Sequence, residues 1–325
     1  MIGQREPLIE VKGLTLDFAI EGKRVNVLED VNLAIGRGQR IGLVGESGCG
    51  KSITSLTIMG LQPQTAAVRS GEILYAGRDL LRASRREMIG IRGSELAMIF
   101  QEPMTSLNPV YTVGQQMAEM FKLHTGLSPR EALKSVVERL REVSIPDPES
   151  IVNQYPHQLS GGMRQRVMIA MAMSLNPKLL IADEPTTALD VTIQAQILDL
   201  IRKLNDQHEA SVLLITHDLG VVAETCEHVV VMYAGHVVEE ADVFQIFEHP
   251  RHPYTVGLMK SLPDLNEVSE RLYNIKGTVP PVYAYPRGCR FSPRCEYGTG
   301  QCAERVPELA EGENGHRVRC FNPLT

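Results

Sequence analysis

Eight residues, Gly45-Glu46-Ser47-Gly48-Cys49-Gly50-Lys51-Ser52, satisfy the pattern G-x-x-x-x-G-K-[ST]. Glycines at these places let successive backbone N–H groups turn toward one anion at a helix start. Lys51 can reach the β- and γ-phosphates of a nucleotide, and the Ser52 hydroxyl can ligate Mg²⁺. A loop of this kind cradles a nucleoside triphosphate. A second chemical element is Leu179-Leu180-Ile181-Ala182-Asp183-Glu184, an apolar run ending in two acids. Asp183 would emerge at the carboxyl end of a sheet, where open α/β folds place their ligands. One carboxylate there can hold the Mg²⁺ shell, and Glu184 can polarise an attacking water as a general base. Leu159-Ser160-Gly161-Gly162-Met163 precedes a helical stretch over 164–174, so its amides form another anion-binding helix start. Taken alone, Ser-Gly-Gly is equally an ordinary flexible turn.

The elements around these motifs follow from apolar spacing. Leu8-Ile9-Glu10-Val11 and Arg40-Ile41-Gly42-Leu43-Val44 are strand-like, and the second runs into the glycine loop and then a helix-like stretch over 53–61. Between about residues 85 and 176 helical spacing takes over, as in Ala132, Leu133, Val136, Val137, Leu140 and Val143. Strand signals return at 179–182, 212–216 and 229–232, with an amphipathic helix carrying Ile197, Leu198, Ile201 and Leu204 between the first two. Apolar strands alternating with helices predict a parallel sheet covered on both faces. The predicted fold is α/β, a phosphate-loop nucleotide-binding core with an inserted helical subdomain. Beyond about residue 240 the chain is richer in Pro, Gly and Arg, which predicts a small irregular extension. The 325 residues suit about two domains.

Composition narrows the function. A net charge of −6 removes the simplest case for a nucleic-acid binder. No apolar run approaches the ~20 residues needed to cross a bilayer. The segment Met1-Ile2-Gly3-Gln4-Arg5-Glu6-Pro7 lacks the apolar core of a signal peptide, so the expected compartment is the cytoplasm. Reducing conditions there disfavour disulfides, which directs attention to metal for Cys289, Cys295, Cys302 and Cys320. Their spacing, Cys-x5-Cys-x6-Cys-x17-Cys, is neither the paired C-x2-C of zinc knuckles nor a ferredoxin run. Arg287, Arg290, Arg294, Arg317 and Arg319 surround them and could offset the negative charge of the thiolates. Cys49 occupies a variable place in the phosphate loop, and Cys226 reads as a small core residue.

The order phosphate loop, Gln101, Leu159-Ser160-Gly161-Gly162, Asp183-Glu184, Asp190, His217 resembles the ATPase subunits of ABC transporters over about residues 8 to 240. That resemblance implies ATP and Mg²⁺ as ligands. It implies that Ser160, Gly161 and Gly162 complete the ATP site of an opposing subunit, so that hydrolysis needs a head-to-tail dimer. It further implies that Gln101 links Mg²⁺ to a transmembrane partner, that Asp190 communicates across the dimer and that His217 contacts the γ-phosphate. The family stacks adenine on an aromatic residue about thirty positions before the loop; Phe18 is the match, and a packed strand residue is the other reading. Met163 departs from the family's usual Gln and removes a hydrogen-bonding group, so altered composite-site function is expected.

Gln101-Glu102-Pro103-Met104-Thr105-Ser106-Leu107-Asn108-Pro109, Tyr155-Pro156-His157-Gln158-Leu159-Ser160-Gly161-Gly162-Met163 and His249-Pro250-Arg251-His252-Pro253-Tyr254-Thr255 look like the oligopeptide, dipeptide and nickel importers. The prolines of the last segment suggest a constrained linker, and its histidines invite a metal reading. Some peptide-importer subunits carry a 4Fe–4S cluster in an extension similar to this one, which assigns Cys289, Cys295, Cys302 and Cys320 as its ligands, with structural zinc or free thiols as alternatives. The resemblance divides the chain into an ABC ATPase domain, 1–240, with its helical subdomain at about 87–176, and an extension, 241–325. It implies a peripheral ATPase on the cytoplasmic face of the membrane, powering import of di- or oligopeptides. Its partners would be a second, related ATPase subunit, two permease subunits and an extracytoplasmic peptide-binding protein, with no nucleic acid. Nickel uptake, or a soluble ABC ATPase of DNA repair or translation, are the rival readings. Soluble ABC ATPases typically carry long coiled coils or two nucleotide cores, and this chain shows neither.

Overall fold

The structure is a computed structural model and describes residues 6–101, 106–187, 189–262 and 273–324. Glu102 to Thr105 of the segment after Gln101, Ala188 before Asp190, and the first five residues therefore lie outside the described residues. The chain divides into two compact units. The first comprises residues 1–36, 40–81 and 215–325, and the second residues 37–39 and 82–214. Residues after 240 thus fall within the first unit.

The first unit holds strands β1 (Pro7–Ile20), β2 (Lys23–Gly36), β3 (Arg40–Val44), β4 (Ala66–Tyr75) and β5 (Arg78–Asp79). β1 and β2 form a hairpin in which Ile20 faces Lys23 across the two-residue turn Glu21-Gly22. Both turn residues have positive φ, 49° and 75°, the geometry that matches the twist of paired strands. These strands make an antiparallel sheet in the order β2-β1-β4-β5. Sequence reading expects short strands and turns here. It misses the long hairpin because register shifts between Val11 and Leu16 break the alternation that would mark a strand of this length.

The second unit supplies β6 (Leu96–Ile99), β7 (Leu179–Asp183) and β8 (Ser211–Thr216, whose last two residues belong to the first unit). β6 and β7 are parallel, β7 lies between β6 and β8, and β7 is buried throughout. Its helices start where side chains can satisfy the first free amides. Ser84 with Glu87, Thr112 with Gln115, and Ser128 with Glu131 each form a reciprocal capping box. The helix Pro129–Glu142 buries Ala132, Val136 and Leu140, one per turn, and packs against the helices Val113–Thr125 and Gly161–Met173.

The first unit closes with β9 (His228–Tyr233), β10 (His236–Asp242), β11 (Ala310–Glu311) and β12 (Arg317–Val318). β3 and β9 are parallel, but β10, β12 and β11 continue from β9 in antiparallel fashion. The wholly parallel sheet expected from the alternating pattern is therefore only part of the architecture. The segment expected as a constrained linker is helical from Pro253 to Lys260 and buries Tyr254 completely. His252 Nδ1 accepts the Tyr254 N–H at 3.0 Å and caps the helix.

Glu239 on β10 is fully buried and joins this segment to the tail. It accepts the amides of Arg251 (2.6 Å) and His252 (2.9 Å) and the His316 Nε2 (2.7 Å). Burial opposes its ionisation, but these hydrogen bonds outweigh burial and hold its pKa below the usual carboxylate value. Its contribution to stability is therefore present above the ordinary carboxylate pKa and is lost as pH falls through the lowered folded value. Glu239→Ala leaves buried donors unsatisfied and is expected to cost about 3 kcal/mol. Denaturant unfolding at pH 7 measures this, and an unchanged midpoint would contradict it.

Candidate functional site

In the first unit β3 feeds the phosphate loop beneath the end of β9. Gly45 has φ +150°, and a Cβ there would lie 2.2 Å from the Met232 carbonyl oxygen. Gly50 has φ +111°, and its Cβ would meet a Leu28 methyl at 2.6 Å. Only glycine permits that approach. Cys49 is fully buried, its N–H donates to the Glu46 carbonyl at 3.2 Å, and its own carbonyl accepts the Gly235 N–H at 2.8 Å. Burial pushes the Cys49 thiol pKa up. Ser47 and Gly48 form the exposed crest of the loop. Lys51 opens the helix Lys51–Ile58, followed by a half-buried Ser52, and its ammonium donates to the Gly45 (2.7 Å) and Glu46 (3.2 Å) carbonyls inside the curl. Phe18 is half-buried on β1 opposite Val25 and Ala66. His217 is exposed just beyond β8, beside Asp218, which caps the helix Leu219–Thr225.

In the second unit Asp183 ends β7 and is buried. The chain then turns through Glu184, a non-glycine residue at φ +47°. Its carboxylate accepts the Gln101 Nε2–H at 3.1 Å and the Thr187 hydroxyl at 2.8 Å. Backbone strain of this kind costs ~1–3 kcal/mol and persists where neighbours over-determine it. The buried Gln165 adds such a constraint by donating to the Pro185 carbonyl at 2.5 Å. Ser160 is the N-cap of the helix Gly161–Met173, its hydroxyl accepting the Met163 N–H at 3.3 Å, and Ser160 and Gly161 are exposed. Asp190 caps the helix Val191–His208 through the Ile193 amide at 3.0 Å.

The tail gathers its cysteines. Cys289, Cys295, Cys302 and Cys320 line one small cavity with His252, Phe291 and Tyr297, and all are free thiols. Burial raises the Cys289, Cys295 and Cys320 pKa values, that of Cys320 to about 11, and the neighbouring thiols add to the effect. Among the described residues, no three His, Cys, Asp or Glu side chains form a group able to hold a metal ion. The expected metal centre is thus not preformed. The flanking arginines also depart from expectation. Arg290 pairs with Glu29, Arg294 with Glu46, Arg317 with Glu240 and Arg319 with Asp30, so these cations are committed to carboxylates rather than to the thiols.

A probable peptide ABC transporter ATP-binding protein of Sinorhizobium fredii is 52% identical over 316 residues, covering 97% of this chain and 94% of that protein. The ABC transporter family profile matches residues 28–187, and that of the oligopeptide/dipeptide transporter C-terminal region matches residues 238–302. This chain belongs to the ABC transporter ATP-binding proteins. Among solved structures, a dimeric bacterial ABC transporter cassette superposes with a TM-score of 0.65 at 30% identity, covering 72% of this chain and 98% of that one. The same cassette in a post-hydrolysis state with ADP and Pi superposes equally well, at 29% identity.

The ABC ATPase fold also uses residues that sequence reading overlooks. Gln165 and Thr187 steady the Glu184 turn, and Tyr254 and Arg294 hold Glu46 in the phosphate loop. No local pattern marks Gln165 or Thr187, and Arg294 stands beside Cys295, which directs attention to the cysteines. Among the described residues no helix is long and apolar enough to cross a membrane. Gly45→Ala places a Cβ against backbone that cannot yield without moving the loop. It is expected to abolish the thermal shift that ATP gives the full chain, and a shift equal to wild type would refute this.

Proposed function

We propose that this ABC ATPase couples ATP hydrolysis to import of di- or oligopeptides, docked as a peripheral subunit on the cytoplasmic face of permease subunits. Its family establishes ATP hydrolysis. The peptide reading is supported by the match of residues 238–302 to the oligopeptide/dipeptide transporter region and by the name carried by the Sinorhizobium relative. Two permeases, an extracytoplasmic peptide-binding protein and a second ATPase subunit complete the proposed assembly.

Within it, Gly45 to Ser52 bind the triphosphate and Phe18 stacks on adenine. Ser52, Gln101 and Asp183 offer hard oxygen donors of the kind Mg²⁺ prefers. Bound Mg²⁺ supplies charge neutralisation at the phosphate oxygens. Glu184 orients the attacking water and accepts its proton, and His217 contacts the γ-phosphate. Ser160, Gly161, Gly162 and Asp190 serve the opposing subunit's site, which suits the exposure of Ser160 and Gly161. The observation that carries this reading is the Glu184 carboxylate, held by Gln101 and Thr187 in a strained left-handed turn directly after Asp183. A base fixed in this way loses no orientational freedom when it acts. Glu184→Gln is expected to retain ATP binding and to lower turnover at least ~100-fold in the assembled transporter. Wild-type turnover would remove Glu184 from the role.

The tail is proposed to hold a 4Fe–4S cluster through Cys289, Cys295, Cys302 and Cys320. Support comes from the four thiols lining one cavity. A single zinc needs its sulfurs all ~2.3 Å from one point, whereas a four-iron cluster takes one thiolate per iron and spreads its ligands. Its role would be structural. Anaerobically purified protein is expected to carry about four irons per chain, and Cys302→Ser to lose them while the nucleotide core stays folded. One zinc per chain and no iron would replace the cluster with zinc.

A further inference from the structure

Glu46 is the second residue of the phosphate loop, and each of its polar groups is held. Its N–H donates to the Tyr254 hydroxyl at 2.8 Å. Its carbonyl accepts the Lys51 ammonium and the Cys49 N–H, both at 3.2 Å. Its carboxylate receives a two-pronged grip from Arg294, Nη1 to Oε2 at 2.7 Å and Nη2 to Oε1 at 3.1 Å. Two of these supports, Tyr254 and Arg294, come from beyond residue 240.

Arg294 is built to stay where it is. Its side chain is 5% exposed. Its remaining N–H groups reach the carbonyls of Lys276 (2.9 Å), Gly277 (3.3 Å) and Ile275 (3.4 Å) and the Tyr233 hydroxyl (3.3 Å). The guanidinium lies over the Tyr233 ring at 5.7 Å, and Tyr233 packs on Tyr254 at 4.7 Å and edge-on to Phe291 at 5.1 Å. Phe291 and Arg294 both lie between Cys289 and Cys295 in the chain. An aromatic cluster thus fixes the tail's arginine beneath the loop.

The charge arithmetic gives the arrangement a purpose. An unpaired carboxylate within the phosphate loop would repel a triphosphate held by the same loop at short range. We propose that Arg294 is a positioning residue for ATP binding: presented by the cysteine-bearing tail, it neutralises Glu46 and holds that carboxylate away from the nucleotide. Lys51 supplies the charge that faces the phosphates, and Arg294 removes the charge that would oppose them. The tail is on this view part of the nucleotide site.

The inference rests on the phosphate-loop reading of residues 45–52, and Lys51→Ala tests that reading separately. If K51A keeps wild-type ATP affinity, the loop reading falls, whatever Arg294 does. Given a loop that needs Lys51, the decisive measurement is ATPase kinetics of the assembled transporter together with direct ATP binding to the full chain. R294A is expected to raise KM and the ATP dissociation constant ~10-fold with kcat within about twofold, and the penalty should shrink at high salt. Adding Glu46→Gln to R294A is expected to recover most of the affinity, because it removes the uncompensated charge. A residue that merely packs the tail would not be rescued by deleting its partner's charge. R294Q and R294Q/E46Q make the same comparison if R294A does not fold. A fall in kcat at unchanged KM, or a double variant no better than the single, would overturn the proposal.

Discussion

The tightest constraint in the molecule is the passage of the phosphate loop beneath the last residues of β9. A Cβ on Gly45 would sit 2.2 Å from the Met232 carbonyl, and one on Gly235 would sit 1.9 Å from the Val27 carbonyl. Backbone therefore packs on backbone at the loop and at the β9–β10 turn, and the Gly235 N–H to Cys49 carbonyl bond ties the two together. The position of Lys51, the direction of its helix and the burial of Cys49 all follow from that contact. Side-chain packing cannot substitute for it, because no side chain fits between the two layers of backbone.

Around this contact the tail is held by ion pairs as well as by the buried Tyr254, Ile275, Phe291 and Val318. Arg290 donates to the Ala234 carbonyl, to Asn26 and to Glu29, and its guanidinium lies over Tyr285 at 4.3 Å. Arg319 donates to the Val237 and Pro307 carbonyls and to Asp30. Arg290, Arg294 and Arg319 each adjoin a cysteine in the chain. In these pairs the guanidinium is buried and the carboxylate partly exposed, so the larger cost falls on removing the carboxylate, which leaves a buried cation unpaired. They define where the tail sits more than how strongly it is held. The close His236 ring (Nε2 to Oε2, 3.4 Å) and Arg290 hold the Glu29 pKa at about 2 against burial, while burial holds the His236 pKa at about 4.

The second unit places its chemistry by another means. β7 is buried from Leu179 to Asp183, so the two acids emerge at the end of a rigid element. The left-handed turn at Glu184 then aims its carboxylate at Gln101 and Thr187. The strain is offset by those hydrogen bonds and by Gln165 on the Pro185 carbonyl. Ser160 and Asp190 need no such help, since each caps its own helix and is located by local geometry alone.

Much was legible in the sequence because it is encoded locally. The phosphate loop is a run of eight residues whose glycines, lysine and serine each have a required place, and the structure puts β3 before it and a helix after it. The acid pair after an apolar strand and the helix spacing of Ala132, Val136 and Leu140 are patterns within a few residues. What the sequence could not supply is pairing over distance. Gln101 meets Glu184 across 83 positions, and Arg294 meets Glu46 across 248. Five arginines stand near the cysteines, and nothing in their spacing says whether they face thiols or carboxylates. Only the folded chain decides, because a guanidinium leaving water must find the acceptors that the surrounding strands happen to present.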